Sequence, residues 1–161
     1  MNRKGQSALE FLTTYAWAFI VIIIVIAAIA YFGVLRPTKI LPDRCNFNVG
    51  FGCEAYTATS GAAGSMTLLL KNGLGQVITV TSASASVEGP TTLTCSSTPT
   101  LPINWVTGNA TTFAWTGCDF SAVGFTRGDK GKVLVTLNYY DAKAGATFTH
   151  IADGEVFTAF N

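Results

Sequence analysis

Four cysteines carry the most specific chemistry in this chain: Cys45, Cys53, Cys95 and Cys118. Thiols at such spacings form disulfides, ligate zinc or stay free in a core, and the lack of any Cys-x-x-Cys pair disfavours zinc. Two disulfides allow three connectivities. We favour Cys45–Cys53 with Cys95–Cys118, because each pair closes a local loop, and buried free thiols remain the alternative. Disulfides would place this region in an oxidising compartment.

Other residues suited to catalysis or cation binding are few. His150 is the single histidine, so sites built on several histidines are disfavoured, and its alternation with Phe148 in a strand-like segment favours a structural role. Carboxylates in turn-like segments are ordinarily solvated. We therefore predict no metal site, no cofactor and no enzymatic activity, although four carboxylates were candidates for a cation: Asp129, Asp141, Asp153 and Glu155.

Sugars are the other chemistry that the sequence suggests. Asn109 begins an Asn-Ala-Thr sequon, which makes it a candidate N-glycosylation site. Three aromatic residues surround this sequon: Trp105, Phe113 and Trp115. They could form a sugar-stacking surface, but packing in a core or at a subunit interface is the preferred interpretation.

The amino-acid composition argues against two classes of protein, nucleic-acid binders and disordered chains. Charged residues make up 12% of the 161 residues, and the net charge is +1. Soluble domains usually carry about a quarter charged residues. No basic patch is available to neutralise several phosphates, so we predict no nucleic-acid partner. Apolar residues make up 49%, which argues against disorder.

A long apolar segment precedes the part of the chain that contains these candidate residues. Residues 15–35 contain no charge, and as a helix these 21 residues would be about 31 Å long, the thickness of a bilayer core. Their length favours a helix over a strand. Pro37 should end this helix near Arg36. A helix that is apolar on all sides must lie in lipid or inside an assembly.

The remainder of the chain predicts an all-β domain. Residues 45–161 carry five Lys/Arg and seven Asp/Glu, a net charge of −2, and are rich in Thr, Ser and Gly. Residues 65–71 and 77–87 read as a hairpin joined by residues 72–76, and residues 132–140 alternate as a strand. Residues 147–151 and 155–160 read as two further strands separated by a turn at Asp153-Gly154. The fold class is therefore α+β: a long apolar helix followed by an Ig-like sandwich or barrel, arranged as a meander.

Three interpretations of the apolar segment compete. A secretory signal peptide would be cleaved at the Ala-x-Ala site of residues 28–30, but residues 31–35 continue the apolar run and Glu10 lies unusually close to it. A signal anchor would hold one ectodomain on a membrane. A prepilin would keep the helix after losing only a short leader. The flanking positive charges do not settle the orientation by themselves.

The residues before the apolar run favour the prepilin. Lys4-Gly5 is followed by Gln6-Ser7-Ala8-Leu9-Glu10-Phe11, which resembles the class III signal peptide of archaeal type IV pilins. The resemblance implies that a prepilin peptidase cuts between Gly5 and Gln6. Glu10 then becomes the fifth residue of the mature chain, where the family uses a glutamate to neutralise the terminal amine of a neighbouring subunit. There are two alternatives to this pairing. In the first, Ser7 and Glu10 form a capping box within one helix. In the second, Gln6 cyclises, which would remove the amine's charge.

The resemblance also implies an organisation and a function. Residues 1–5 would be a cleaved leader, 6–36 a membrane and assembly helix, 37–44 a linker and 45–161 an extracellular β domain. The chain would be a major pilin that polymerises with itself into an adhesive surface filament. Its other partners would be the prepilin peptidase, an assembly ATPase with its membrane platform, and the membrane before assembly. The alternative function is a monomeric, membrane-anchored, Ig-like receptor.

Overall fold

A computed structural model describes residues 3–31, 41–48, 50–88, 93 and 95–161. The chain forms two compact units, Met1–Ile40 and Leu41–Asn161. We call the second unit the β domain. The predicted end of the helix near Arg36 lies outside the described residues, as does the first half of the predicted linker, residues 37–40.

The first unit contains one helix, α1, which spans Arg3–Tyr31. Its 29 residues make it about 44 Å long. No proline interrupts it, and its only glycine is Gly5. The part from Thr13 to Tyr31 has a mean hydropathy of 2.4 and is long and apolar enough to cross a membrane. The predicted apolar helix is confirmed.

The second unit is built from antiparallel strands in two sheets. The described strands are β1 (Arg44–Phe47), β2 (Phe51–Thr59), β3 (Gly64–Asn72), β4 (Ile78–Val87), β5 (Ser96–Thr98), β6 (Ile103–Trp105), β7 (Ala110–Cys118), β8 (Lys130–Asp141) and β9 (Thr149–Ala159). The first sheet has the order β1-β9-β8-β4-β6, and the second has the order β2-β3-β7-β5. The predicted α+β class is therefore correct.

The core lies between the two sheets and follows the period of two along each strand. In β8 the residues predicted to share one face are all buried: Val133, Val135, Leu137 and Tyr139. β3 contributes Met66, Leu68 and Leu70 from the other sheet. The alternation in residues 132–140 was thus a correct guide to the inward face.

The predicted hairpin between residues 65–71 and 77–87 is wrong. Both segments are strands, but β3 pairs with β2 and β7, whereas β4 pairs with β8 and β6 in the other sheet. The connection is a crossover stabilised by Asn72, whose buried side chain donates to the carbonyls of Gln76 and Trp105 and accepts from the Leu74 amide, each at 3.0 Å. Alternation identifies a strand but not its partner. Among the described strands, consecutive ones pair only as β2 with β3 and β8 with β9, so the predicted meander holds only for these two pairs.

The predicted turn at Asp153-Gly154 is also wrong. β9 is continuous from Thr149 to Ala159, and Gly154 lies opposite Val135 of β8 and Phe47 of β1. A Cβ atom at Gly154 would overlap the Phe47 ring. The glycine therefore allows a close approach of an aromatic ring inside a strand.

The two disulfides connect Cys45 with Cys53 and Cys95 with Cys118. This is the pairing that the loop argument favours. Cys45 lies in β1 and Cys53 in β2, so the first bond links the two sheets. The second bond joins the residue before β5 to the buried end of β7.

Candidate functional site: the N-terminal helix

The described side chains of α1 leave a large apolar surface uncovered. Trp17, Phe19 and Ile23 are 63 to 65% exposed. Ile24 at mid-helix is 61% exposed. Exposed apolar patches of this size on soluble proteins mark sites of contact with lipid or protein. This surface therefore has no reactive groups to offer and can act only by being buried against lipid or protein.

Glu10 is the single acidic residue of α1. Salt bridges within a helix need a cation three or four positions away, but those positions hold Gln6, Ser7, Thr13 and Thr14. The hydroxyls of Thr13 and Thr14 donate to the backbone carbonyl of Glu10, at 3.0 and 2.7 Å. These hydroxyls do not contact the Glu10 carboxylate, and no ion pair of Glu10 occurs within the described residues. The exposed carboxylate is available to a group outside this helix.

The predicted cleavage site lies in the first turns of the helix. The backbone of Gly5 and Gln6 is helical, and the side chains of residues 3–9 are outside the described part. The capping box is wrong for the unprocessed chain, because α1 begins at Arg3 and Ser7 lies within it. An N-cap residue needs non-helical backbone angles.

Sequence reasoning missed an aromatic row on the same helix. Phe11 and Tyr15 have ring centroids 4.4 Å apart. Together with Phe19 they flank Ala16, which leaves a shallow apolar depression on this face. The spacing of four residues would have revealed the row. It provides a shaped surface rather than a uniform apolar cylinder.

In the β domain, the candidate cation ligands are engaged with protein groups. Glu155 forms ion pairs with Arg44 and, at 3.6 Å, with Lys132, which also pairs with Glu88 at 2.5 Å. The hydrogen bond and charge of Arg44, aided by Lys132, lower the pKa of Glu155, while Glu88 and Glu155 raise the pKa of Lys132. No three Cys, His, Asp or Glu side chains of the described residues group as a metal site would require.

The three other carboxylates among the cation candidates stabilise local structure. Asp129 accepts a hydrogen bond from the Thr126 amide at 3.1 Å. Asp153 accepts a hydrogen bond from the Thr136 hydroxyl at 2.9 Å. Asp141 accepts one from the Lys143 amide at 2.8 Å, which holds the turn after β8. His150 is exposed, with its ring 5.5 Å from that of Tyr139.

The residues around the sequon separate into core and surface. Trp105, Phe113 and Trp115 are at most 2% exposed and belong to the core, so they form no sugar-stacking surface. Asn109 is exposed in the turn before β7. Its carbonyl accepts a hydrogen bond from Trp105 Nε1 at 2.9 Å, which holds the turn while the side-chain amide stays accessible.

A scan against protein-family models gives no match, and neither does a search of curated protein sequences. The main features of the described chain are the uncovered helix, its single carboxylate and the disulfide-bonded β domain.

Proposed function

We propose that this chain is the structural subunit of an extracellular filament of the type IV pilus kind, used for surface adhesion. The observation that carries this proposal is α1, an uninterrupted helix whose apolar surface is exposed and whose only acidic residue is Glu10. A prepilin peptidase, an assembly ATPase and its membrane platform are the implied partners.

The apolar surface of α1 suits two environments in turn, the membrane before assembly and a helical bundle after it. Before assembly, the segment Thr13–Tyr31 has the length and hydropathy to lie in the cytoplasmic membrane. After extraction, the same surface must be covered by copies of itself. Burial of even 1,000 Å2 would contribute roughly 25 kcal/mol before other terms, at about 25 cal/mol per Å2. The free-energy costs of association and ordering reduce this value greatly. The burial term itself favours a helical bundle.

Glu10 gives that bundle a register. A carboxylate in an apolar bundle is costly unless a cation neutralises it. Cleavage between Gly5 and Gln6 creates a new terminal amine, and α1 offers no cation three or four residues from Glu10. We propose that the amine of a neighbouring copy pairs with Glu10. A slip of one helix along another by a full turn, about 5.4 Å, would then leave both charges unpaired.

The β domain suits an extracellular position. Its two disulfides persist in oxidising compartments. Asn109 is accessible in its turn, and we propose that it carries an N-linked sugar. Mass spectrometry of peptides that contain Asn109 should show a sugar mass that Asn109→Gln abolishes, and an unmodified wild-type peptide would contradict this assignment.

The processing experiment tests the function itself. Material sheared from the cell surface should contain filaments of this chain with Gln6, free or cyclised, as the first residue. Gly5→Leu should leave uncleaved precursor in the membrane and no filaments, whereas the matched variant Asn2→Ala should be processed normally. A surface protein that retains Met1 and forms no filament would instead support the monomeric anchored receptor, for which the single membrane-length helix is also suited.

A further inference from the structure

The first four residues of strand β9 have no neighbour on one side among the residues that the structure describes. β9 runs from Thr149 to Ala159 and pairs along its whole length with β8. On its other side, β1 reaches only from Phe157 to Gly154. The part of β9 before Asp153, residues 149–152, is what we call the open edge.

The backbone groups of the open edge face outward in a defined pattern. The Asn48 amide donates to the Asp153 carbonyl, and the Asp153 amide donates to Asn48 Oδ1, both at 3.0 Å. The amide and carbonyl of Asp153 therefore point away from β8. Because this direction alternates along a strand, the same groups of Ile151 and Thr149 point outward too. No described residue bonds to them on that side.

The side chains do not protect this edge. Edge strands are normally blocked by charges, prolines or a covering segment. Residues 147–152 contain no Lys, Arg, Asp, Glu or Pro. Phe148 and Ile151 are 63% and 60% exposed, the highest values among the described large apolar residues of the β domain.

The edge of β2, by contrast, is covered near its end by Asn161. The Asn161 amide donates to the Ala58 carbonyl at 3.0 Å, and the Ser60 amide donates to the Asn161 carbonyl at 3.1 Å. The unprotected edge of β9 is therefore a local feature and does not characterise every edge of this domain.

We propose that the open edge pairs antiparallel with the same edge of a second copy and joins filaments side by side. A two-fold axis at His150 places Thr149 of each copy opposite Ile151 of the other. Both residues present outward amides and carbonyls, so the two copies exchange two reciprocal pairs of hydrogen bonds. Pairing also covers the exposed side chains of Phe148 and Ile151. This inference rests on the proposed filament, because the filament supplies the ordered copies.

A second copy fits better than an unrelated peptide for two reasons. The edge is self-complementary about one residue, and it carries no charged Lys, Arg, Asp or Glu that would repel a copy of itself. One contact of this length is weak, but a filament repeats it many times. Linked weak contacts gain avidity of about 100-fold or more. Association should therefore appear between filaments and not between subunits in the membrane.

The test uses sheared filaments of the whole chain, examined by negative-stain microscopy and low-speed sedimentation. Wild-type filaments should form bundles that sediment. Ile151→Lys, and separately Thr149→Pro, which removes an outward amide without touching the β8 ladder, should give single filaments in normal number, with at least about a tenfold loss of sedimenting material. Ser84→Lys adds the same charge to an exposed position of β4 away from the edge and should bundle normally.

Two results would overturn this inference while leaving the proposed function intact: wild-type filaments that stay single, or edge variants that bundle like the wild type. A wild-type chain that forms no filaments at all would overturn the proposed function, and this inference with it.

Discussion

Cys45 in β1 is bonded to Cys53 in β2, with their Cα atoms 6.0 Å apart. β1 is an edge strand of the five-stranded sheet and β2 an edge strand of the four-stranded sheet. The bond therefore closes one side of the sandwich at the point where the chain passes from one sheet to the other. The two sheets of the β domain are held together at this crossing by a covalent link.

Removal of each disulfide should destabilise the β domain, and the one that closes the longer loop should cost more stability. The cysteines are separated by 8 residues in the first pair and by 23 in the second. Loop-closure entropy then gives contributions of about 2.5 and 3.5 kcal/mol. Replacing Cys95 and Cys118 by alanine should lower the midpoint of chemical unfolding more than replacing Cys45 and Cys53. Equal midpoints for both variants and the wild type would argue against a stabilising role.

A charge in the middle of α1 should prevent assembly. Ile24 is 61% exposed in the single chain, and in the proposed filament it is covered by neighbouring helices. Ile24→Lys should abolish filaments because burial of an unpaired ammonium is costly, while the β domain still forms both disulfides. Ile24→Leu keeps the apolar surface and should assemble. The readout is the amount of sheared filament, and normal filaments from the lysine variant would refute a core made of α1.

Glu10→Gln separates a role in pairing from a role in helix capping. Glutamine also serves in a capping box, so a capping role predicts filaments of normal yield and thermal stability. A pairing role predicts a sharp loss of filaments with cleavage after Gly5 unchanged, because the terminal amine loses its counter-ion. We expect the loss. Glu10→Asp keeps the charge and should retain part of the assembly, which quantitative microscopy of sheared material would measure.

The ion pairs of Glu155 should make the β domain sensitive to acid. Arg44 and Lys132 lower the pKa of this carboxyl below its ordinary value of 4.5 in the folded state. A lowered folded-state pKa adds stability above the unfolded-state pKa, and this is lost as the pH falls through the folded-state pKa. The melting temperature of Glu155→Gln should therefore fall less than that of the wild type between about pH 5 and pH 3.

Glu54→Gln is the matched control for that titration. Its ion pair with Lys71 is long, at 3.9 Å, and both side chains are at least 42% exposed. Such pairs contribute little, so this variant should follow the wild-type profile. If Glu155→Gln and Glu54→Gln show the same acid profile, the proposed role of Glu155 is incorrect.

The sequence was informative wherever a local pattern determines structure. Uninterrupted apolar residues predicted α1, and alternation in β8 identified Val133, Val135 and Leu137 as core residues. Local loop closure predicted both disulfides. In each case the relevant residues are close in the sequence, or the signal is a simple period.

Long-range pairing was not accessible in the same way. Five residues between β3 and β4 suit either a hairpin or a crossover, and the bonds of Asn72 to Gln76 and Trp105 are visible only in the folded chain. Gly154 next to Asp153 is typical of a turn, because the sequence does not reveal that the Phe47 ring lies against it. The open edge of β9 depends on where β1 ends, which no local pattern shows.

The most direct test of the central claim is cryo-microscopy of filaments sheared from cells that express this chain. We expect a filament whose axis is a bundle of α1 helices, with each chain beginning at Gln6. Glu10 should lie next to the terminal amine of a neighbouring copy, and the β domains should lie outside. Filaments that lack this chain, or a reconstruction in which α1 does not contact other copies of α1, would contradict the central claim.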